Sequence, residues 1–187
     1  MEILRESSRD EYFKFYLERQ CRKGEPASVS DTPEERRCEM ELKGKPLPQP
    51  RCRAIAWSLV RLDFDDFGRL IFAEVDWTEC FVQPYRGTLD YRLLRNVASR
   101  PEAQAHAKKR HYYADMQQGK YVPLQGDDMI AVSTPQPEEQ RPNPSGPYYL
   151  HDGNGRCLAY MVLILQEKLR FEPVEAFLCE QEQVSVR

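Results

Sequence analysis

The residues best suited to chemistry stand together at positions 151–156, in the run His-Asp-Gly-Asn-Gly-Arg. Its two glycines permit backbone angles and close approaches that other residues resist. If a helix begins directly after them, its first amide groups and the Arg156 guanidinium would converge on one point, which favours phosphate or another anion. We therefore predict an anion-binding loop formed by Asp152, Gly153, Asn154, Gly155 and Arg156.

The same run also has a purely structural interpretation. Asp-Gly and Asn-Gly are common turn dipeptides, so the loop could serve only to join a strand to a helix. His151 is a candidate general base because an imidazole titrates near neutral pH. Alternation along a strand nevertheless predicts that His151 and Asp152 point to opposite faces. Both interpretations stay open at this level.

Three cations elsewhere in the chain are candidates for further phosphate contacts, namely Arg86, Arg110 and Lys120. Arg86 and Lys120 each adjoin a glycine, whereas Arg110 belongs to the basic run 108–111, which two tyrosines follow. A basic and aromatic patch of this kind could bind a nucleotide base or a nucleic acid. A charge run on a helix is more commonly a solvated face, so this alternative stays open as well.

Spacing argues against a metal site in the protein. The six cysteines contain no Cys-x-x-Cys pair, and His106 and His111 lie five residues apart rather than the four that place two ligands on one helix face. We expect reduced, mostly structural cysteines. The cofactor stays open, although phosphate chemistry at the loop would use a nucleotide with Mg²⁺.

The flanking pattern predicts the elements that position the loop. Residues 10–23 have an acidic start, a basic end and an aromatic stripe, as an amphipathic helix would. A linker rich in proline and charge follows, so we divide the chain into residues 1–53 and 54–187. The second part should hold a β-hairpin (54–63 and 70–77), helices over 88–98 and 101–119, strands over 122–124, 129–132 and 147–151, a helix over 155–168 and a closing strand over 171–179.

Composition limits the functional classes. The chain has 187 residues, a formal net charge of −3 and 41% hydrophobic residues, which suits an ordinary globular protein. Its acidic balance disfavours nucleic acid as a partner, because phosphate neutralisation supplies most of that affinity. The N-terminus shows no apolar signal segment and the longest apolar run is too short to span a bilayer. We expect a cytoplasmic protein without a membrane partner.

Three short runs, in this order, resemble the ParB/sulfiredoxin-like superfamily. Gly119 to Leu124 resembles a Gly-Lys-x-x-Pro-hydrophobic strand, Tyr148 to Tyr160 a hydrophobic-x-Asp-Gly-x-His-Arg-x-x-Ala turn and helix, and Phe171 to Phe177 a closing hydrophobic-Pro-Val-x-hydrophobic strand. The resemblance implies an α+β fold with a small mixed sheet, in which the glycine turn holds nucleotide phosphates. Gly155 stands where the family usually has histidine, and this departure affects catalysis more than binding.

The loop also resembles the core of the Fic motif, His-x-Phe-x-Asp/Glu-Gly-Asn-Gly-Arg-x-x-Arg. The family's catalytic histidine would fall at Tyr148, and Ala159 replaces the second arginine. Fic proteins are moreover helical around the motif, whereas a strand is predicted here. This resemblance implies AMP transfer and is the weaker of the two.

The leading hypothesis is a nucleotide- or phosphate-binding protein of ParB/sulfiredoxin-like type, with phosphotransferase, nucleotide-hydrolysing or nuclease chemistry as open options. Asp152, Arg156 and His151 would be the catalytic residues. The alternative from another class is a non-catalytic module that binds a protein partner through its N-terminal helix and hairpin, with a merely structural glycine loop.

Overall fold

A single mixed sheet organises the protein. The structure, a computed structural model, describes residues 1–24, 32–43, 52–72, 76–120, 124–134 and 146–183. Within them five strands have the spatial order β1-β2-β5-β3-β4. Only β3 and β5 run parallel, and the other neighbours are antiparallel. The strands are β1 (Glu2–Glu6), β2 (Cys52–Leu62), β3 (Ile130–Ser133), β4 (Tyr149–Asp152) and β5 (Val174–Gln183).

Helices cover both faces of this sheet. The described residues form α1 (Arg9–Arg22), α2 (Pro33–Leu42), α3 (Phe64–Gly68), α4 (Glu79–Val82), α5 (Leu94–Ala98), α6 (Pro101–Lys108), α7 (His111–Gln117) and α8 (Asn154–Leu165). The combination confirms the predicted α+β class with a small mixed sheet. In the described part, no helix has both the length and the apolar character needed to cross a membrane.

Two hydrophobic cores lie on opposite sides of the sheet. The larger core packs α8 and its neighbouring helices against side chains such as Val132 and Leu150. The smaller core packs α1 and α2 against Ala131 and Phe177. Successive residues of one strand thus enter different cores, as the period of two in a strand requires. Because helices cover both faces of the sheet, helices from the two layers come close to each other at the sheet edge formed by β4.

The described N-terminal elements contact the rest of the sheet across the predicted boundary at residue 53. Helix α1 occupies the predicted position and is capped by Ser8, whose Oγ accepts from the Glu11 N–H at 3.1 Å. Strand β1 was not predicted, because it is short and largely polar, yet it pairs with β2. Part of the expected linker is helix α2, which Thr32 caps at 3.3 Å. Residues 25–31 and 44–51 lie outside the described residues.

The predicted β-hairpin is wrong. Strand β2 does form, but β1 and β5 occupy its two edges. The expected turn is instead the short helix α3, because the Asp63 carboxylate accepts from the Asp66 N–H at 2.9 Å and starts a helical turn. Of the second expected strand, Ile71 makes only isolated bridges, and residues 76–78 form a 3-10 turn. Residues 73–75 are not described.

Both helices predicted between residues 88 and 119 are shorter than expected. The first begins only at Leu94, because Thr88 donates its hydroxyl to the Tyr85 carbonyl instead of capping a helix. The second is interrupted between α6 and α7, where Arg110 has an extended backbone. The basic run 108–111 at this interruption is exposed, as a solvated face would be.

The C-terminal order confirms most of the prediction for that half. Strand β3, strand β4, the glycine turn, α8 and β5 follow one another as expected. The predicted strand over 122–124 is not confirmed, because Leu124 lies in a turn and residues 121–123 are outside the described part. Residues 135–145, between β3 and β4, are also outside it.

Candidate functional site

A cavity of about 260 Å³ lies where the end of edge strand β4 meets the start of α8. Both helical layers contribute to it, α1 from one face of the sheet and α8 from the other. All the predicted site residues except Arg86 and Lys120 lie around it. The described lining residues are Arg19, Gln20, Lys23, Trp77, Arg110, Tyr112, His151, Asp152, Gly153, Asn154, Gly155 and Arg156.

Gly153 makes the sharp turn from β4 into α8. It is the N-cap residue and has a φ of 94°, in the left-handed region that favours glycine. A Cβ atom there would lie 2.6 Å from Ile130 Cγ2, so space as well as backbone angle requires glycine. No side chain caps this helix end, unlike those of α1, α2 and α3. The positive end of the α8 dipole therefore faces the cavity without a side-chain cap.

Gly155 lets an aromatic ring approach the first turn of α8. A Cβ atom at this position would lie 3.2 Å from Tyr112 Cε2, closer than ordinary contact. A larger side chain at this position would therefore require a small shift of the Tyr112 ring.

The Arg156 guanidinium is not directed to an open anion site, contrary to the expectation from sequence. Its side chain is buried and donates to the Asp128 carbonyl, to the Met129 carbonyl at 3.3 Å and to Asp152 Oδ2 at 3.2 Å. Asp128 Oδ1 lies 3.2 Å from Nη1 as well. Arg156 thus ties the start of α8 to the turn before β3, and lies under the loop.

A second buried arginine meets the same carboxylate from the opposite layer. Arg19 of α1 donates to Asp152 Oδ2 at 2.6 Å and to the Met129 carbonyl at 3.1 Å. Burial by itself would lower the pKa of Arg19, but the charge and hydrogen bond of Asp152 outweigh it and raise the pKa. Asp152 therefore joins both helical layers by pairing with two charged guanidinium groups.

A β-bulge places His151 and Asp152 on the same side of the sheet. Asp152 is opposite Ala131 and Leu150 is opposite Val132, so His151 is the extra residue in the pairing. The His151 ring hydrogen-bonds through Nε2 to Ser133 Oγ at 2.7 Å. Simple alternation, which predicted opposite faces, fails here because of this extra residue, and both side chains line the cavity.

Two further cations, Lys23 and Arg110, stand at the rim. Lys23 is the C-cap residue of α1, and desolvation followed by the charges of Arg19 and Arg156 lowers the pKa of its ammonium group. The Arg110 guanidinium lies 5.3 Å above the Trp77 ring centre. Lys23 and Arg110 are both exposed residues, whereas Arg19 and Arg156 are buried.

The described lining residues have a strong excess of positive charge. Arg19, Lys23, Arg110 and Arg156 are cationic, and Asp152 is the one carboxylate among them. This local excess contrasts with the formal charge of −3 for the whole chain. In a recess of this kind, fixed charges and the helix dipole add up to a potential that attracts anions.

The remaining predicted contacts lie elsewhere. Lys120 is exposed and pairs with Asp115 at 2.9 Å, and Arg86 follows a 3-10 turn. The sequence interpretation in turn missed lining residues from α1 and from the 3-10 turn at 76–78. Arg19 and Lys23 are four residues apart, which places two cations on one helix face. That signal was present, but it does not show which loop the face meets.

Cysteine and metal chemistry find little support at this site. Cys157, which follows the arginine, is fully buried, and this burial raises the pKa of its thiol far above the usual range. It therefore holds no thiolate at neutral pH. Within the described ranges, no three His, Cys, Asp or Glu side chains are grouped as a metal site.

Comparisons of the chain with protein-family models, with curated proteins and with solved structures find no match. The motif resemblances thus stand on the residues quoted above, and the chemistry of the cavity rests on its own geometry.

Proposed function

We propose that this chain binds a nucleotide or another phosphate-bearing ligand in the cavity at the start of α8, in the manner of ParB/sulfiredoxin-like proteins. One observation carries the proposal: four cations and an uncapped helix N-terminus surround a recess that contains one carboxylate. A phosphate group is the common biological anion that takes donors from a helix N-terminus and from Lys or Arg together.

The four cations have different roles in this proposal. Lys23 and Arg110 at the rim contact the phosphate oxygens, because their side chains are exposed. Arg19 and Arg156 contribute charge from below while their donors hold Asp152 and the neighbouring carbonyls. The proposal thus transfers the direct contact from Arg156, which the motif marks, to side chains outside the motif.

The cavity also suits more than a bare phosphate. Its volume of about 260 Å³ is near the lower end of the range for small-molecule sites. Trp77 and Tyr112 give it aromatic walls beside the cationic ones. The strand, glycine turn, helix and closing strand follow the order of the resembled family motifs, which supports a nucleotide as the ligand class.

A second candidate is the non-catalytic module in which the glycine loop is structural. The hydrogen bonds of Arg156 support it, since they tie this arginine to the Asp128 and Met129 carbonyls and to Asp152. The Fic-like alternative has less support, because β4 precedes the loop where that resemblance implies helical surroundings. Labelled ATP should therefore transfer no AMP to candidate proteins.

Calorimetric titration separates the first two candidates. ATP, ADP, CTP and inorganic phosphate would be titrated into the wild type, Lys23→Gln and Arg110→Gln. Each rim substitution removes one charge-assisted contact, so we expect the dissociation constant of the best ligand to rise about tenfold. Lys120→Gln and Arg86→Gln are matched controls, because they remove the same charge away from the cavity.

The outcomes are distinct. Weaker binding in the rim variants with unchanged binding in the controls supports the phosphate site. No affinity of the wild type for any of the four ligands would leave the structural module as the better candidate. Equal losses in rim and control variants would point to net charge rather than to this cavity.

A further inference from the structure

The rim cation Arg110 donates a hydrogen bond to a histidine, His106. Its Nε lies 3.1 Å from His106 Nε2. A guanidinium carries donors and no acceptor, so the imidazole nitrogen must accept. His106 is then neutral, with its proton on Nδ1. A protonated imidazole has two donors and no acceptor, and the same contact would bring two cations together.

Aromatic packing fixes both partners of this hydrogen bond. The His106 ring is stacked on Trp77 with centres 5.0 Å apart and planes 19° apart, and it contacts Phe81 at 5.4 Å. The Arg110 guanidinium lies over the same Trp77 ring. Trp77 in turn lines the cavity together with Arg110. His106 and Arg110 are four residues apart, a spacing that places two side chains on neighbouring turns of one face.

We propose that His106 is the positioning residue for Arg110, and that protonation of His106 releases this guanidinium and weakens the binding of a phosphate-bearing ligand. The inference rests on the proposed function, because it concerns regulation of the same cavity. It adds a sensor outside the cavity: His106 is not among its described lining residues and acts through Arg110.

The surroundings of His106 keep it neutral near pH 7. Burial lowers the pKa of its imidazole, and the charges of Arg110 and Lys109 lower it further. From α4, Glu79 and Cys80 line a neighbouring groove together with His106. Glu102 lies four residues earlier on α6. Burial is the largest of these influences and the two adjoining cations add to it, so protonation requires a pH below the usual imidazole range.

Binding measured against pH tests the inference. ADP and inorganic sulfate would be titrated into the wild type and His106→Gln between pH 5 and pH 8. Sulfate keeps its charge over this interval, which removes titration of the ligand as a cause. The glutamine Oε1 can accept from Arg110 Nε but does not titrate. We expect sulfate affinity to fall about tenfold toward pH 5 in the wild type and not in His106→Gln, as loss of one charge-assisted contact predicts.

His151 is the necessary control, because its imidazole also lines the cavity. A positive charge on that ring would strengthen anion binding, which is the opposite sign. His151→Gln should therefore make the acid loss of sulfate affinity larger, while Arg110→Gln should abolish it. Parallel pH profiles for the wild type and His106→Gln would overturn the inference and leave the proposed function intact. No binding of either probe at any pH would overturn both.

A measurement without ligand gives an independent test. Nuclear magnetic resonance of the wild type should show His106 as the Nδ1–H tautomer at pH 7.5, with a pKa below that of a free histidine. In Arg110→Gln the pKa should rise, because one neighbouring cation is gone. A protonated His106 or the Nε2–H tautomer in the wild type at pH 7.5 would overturn the inference.

Discussion

Two pairs of cationic side chains line the cavity, and the pairs differ in the groups to which they donate hydrogen bonds. Arg19 and Arg156 are buried, and their guanidinium groups donate to Asp152 and to the Met129 carbonyl. Lys23 and Arg110 are exposed at the rim, where Arg110 donates to a neutral imidazole rather than to a carboxylate. The buried pair holds two layers of the fold together, whereas the rim pair can exchange water for a ligand.

This difference follows from the cost of burying charge. A guanidinium removed from water needs a carboxylate and further acceptors, or the protein would not tolerate it. The donors that hold these partners are not available to a ligand. A rim cation retains its water contacts and can give them up for phosphate at a much smaller cost. The arginine most prominent in the sequence is therefore held by protein acceptors, whereas Lys23 and Arg110 stay exposed to solvent.

The largest expected effect comes from removing one of the two buried arginines. Arg156→Ala leaves Asp152 with one partner fewer and the carbonyl of Asp128 without its donor, so we expect a loss of about 3–5 kcal/mol in the free energy of unfolding. Urea denaturation measures it. Arg110→Ala at the rim is the matched control and should change stability by only about 0.5 kcal/mol. If Arg156→Ala and Arg110→Ala lose similar free energies of unfolding, the buried and the rim cations do not differ in their contribution to stability.

A smaller loss is expected at the turn that carries this network. Gly153→Ala would bring a Cβ atom within 2.6 Å of Ile130 Cγ2 at a φ of 94°, which should cost about 1–3 kcal/mol. Gly119→Ala provides the control, since its φ is 66° but nothing lies within 4 Å of the added atom. Thermal unfolding of both variants separates crowding from backbone strain. The turn would not be sterically fixed if the two midpoints shifted equally.

Salt should weaken ligand binding by the rim cations more than it weakens the ion pairs of the buried arginines. At 0.1 M salt, the attraction between exposed charges is largely screened beyond about 10 Å. Buried charge pairs are screened much less. Raising sodium chloride from low to high concentration should weaken nucleotide binding several-fold, while the stability difference between wild type and Arg156→Ala changes little. Calorimetry and urea denaturation at each concentration measure the two quantities. Binding that is insensitive to salt would argue against contacts from Lys23 and Arg110.

The smallest effect concerns an ion pair between α1 and α2. The hydrogen bond from Arg36 lowers the pKa of Asp10 below its usual value of 3.8. The pair therefore stabilises the fold fully above the unfolded pKa, and this contribution is lost as the pH falls through the lower folded pKa. Asp10 is partly exposed, so the contribution should be about 1 kcal/mol or less.

Asp10→Asn tests this assignment through the pH dependence of stability. The wild type should lose more free energy of unfolding than Asp10→Asn does between pH 5 and pH 2. Identical acid profiles for the two proteins would mean that Asp10 has the same pKa in both the folded and the unfolded state.

Local signals explain which elements were predicted correctly. The aromatic stripe of α1 has helical periodicity, α8 is a long apolar run after a glycine turn, and β4 and β5 follow strand patterns, so their positions could be inferred from sequence. The predicted hairpin failed because a strand pattern does not identify its partner, and β2 pairs with β1 and β5 instead. The Thr32-Pro33 start of α2 was a local signal that was overlooked.

The candidate site shows the same division. The chemical character of residues 151–156, including the need for glycine at the turn, can be read from the local sequence. The position of Lys23 could not be inferred, because α1 reaches the cavity only by packing across the sheet. His151 and Asp152 share a side only because of the β-bulge in β4, and simple alternation does not anticipate a bulge.

Residue order and type thus determined the strand, the glycine turn and the helix that follows it, because these depend on neighbouring backbone angles and hydrogen bonds. Only the tertiary structure decided which cations would be buried with carboxylate partners and which would remain at the rim. The physical reason is that desolvation and ion pairing depend on residues far apart in the chain: Arg19 and Asp152 are separated by most of the protein, yet meet at 2.6 Å.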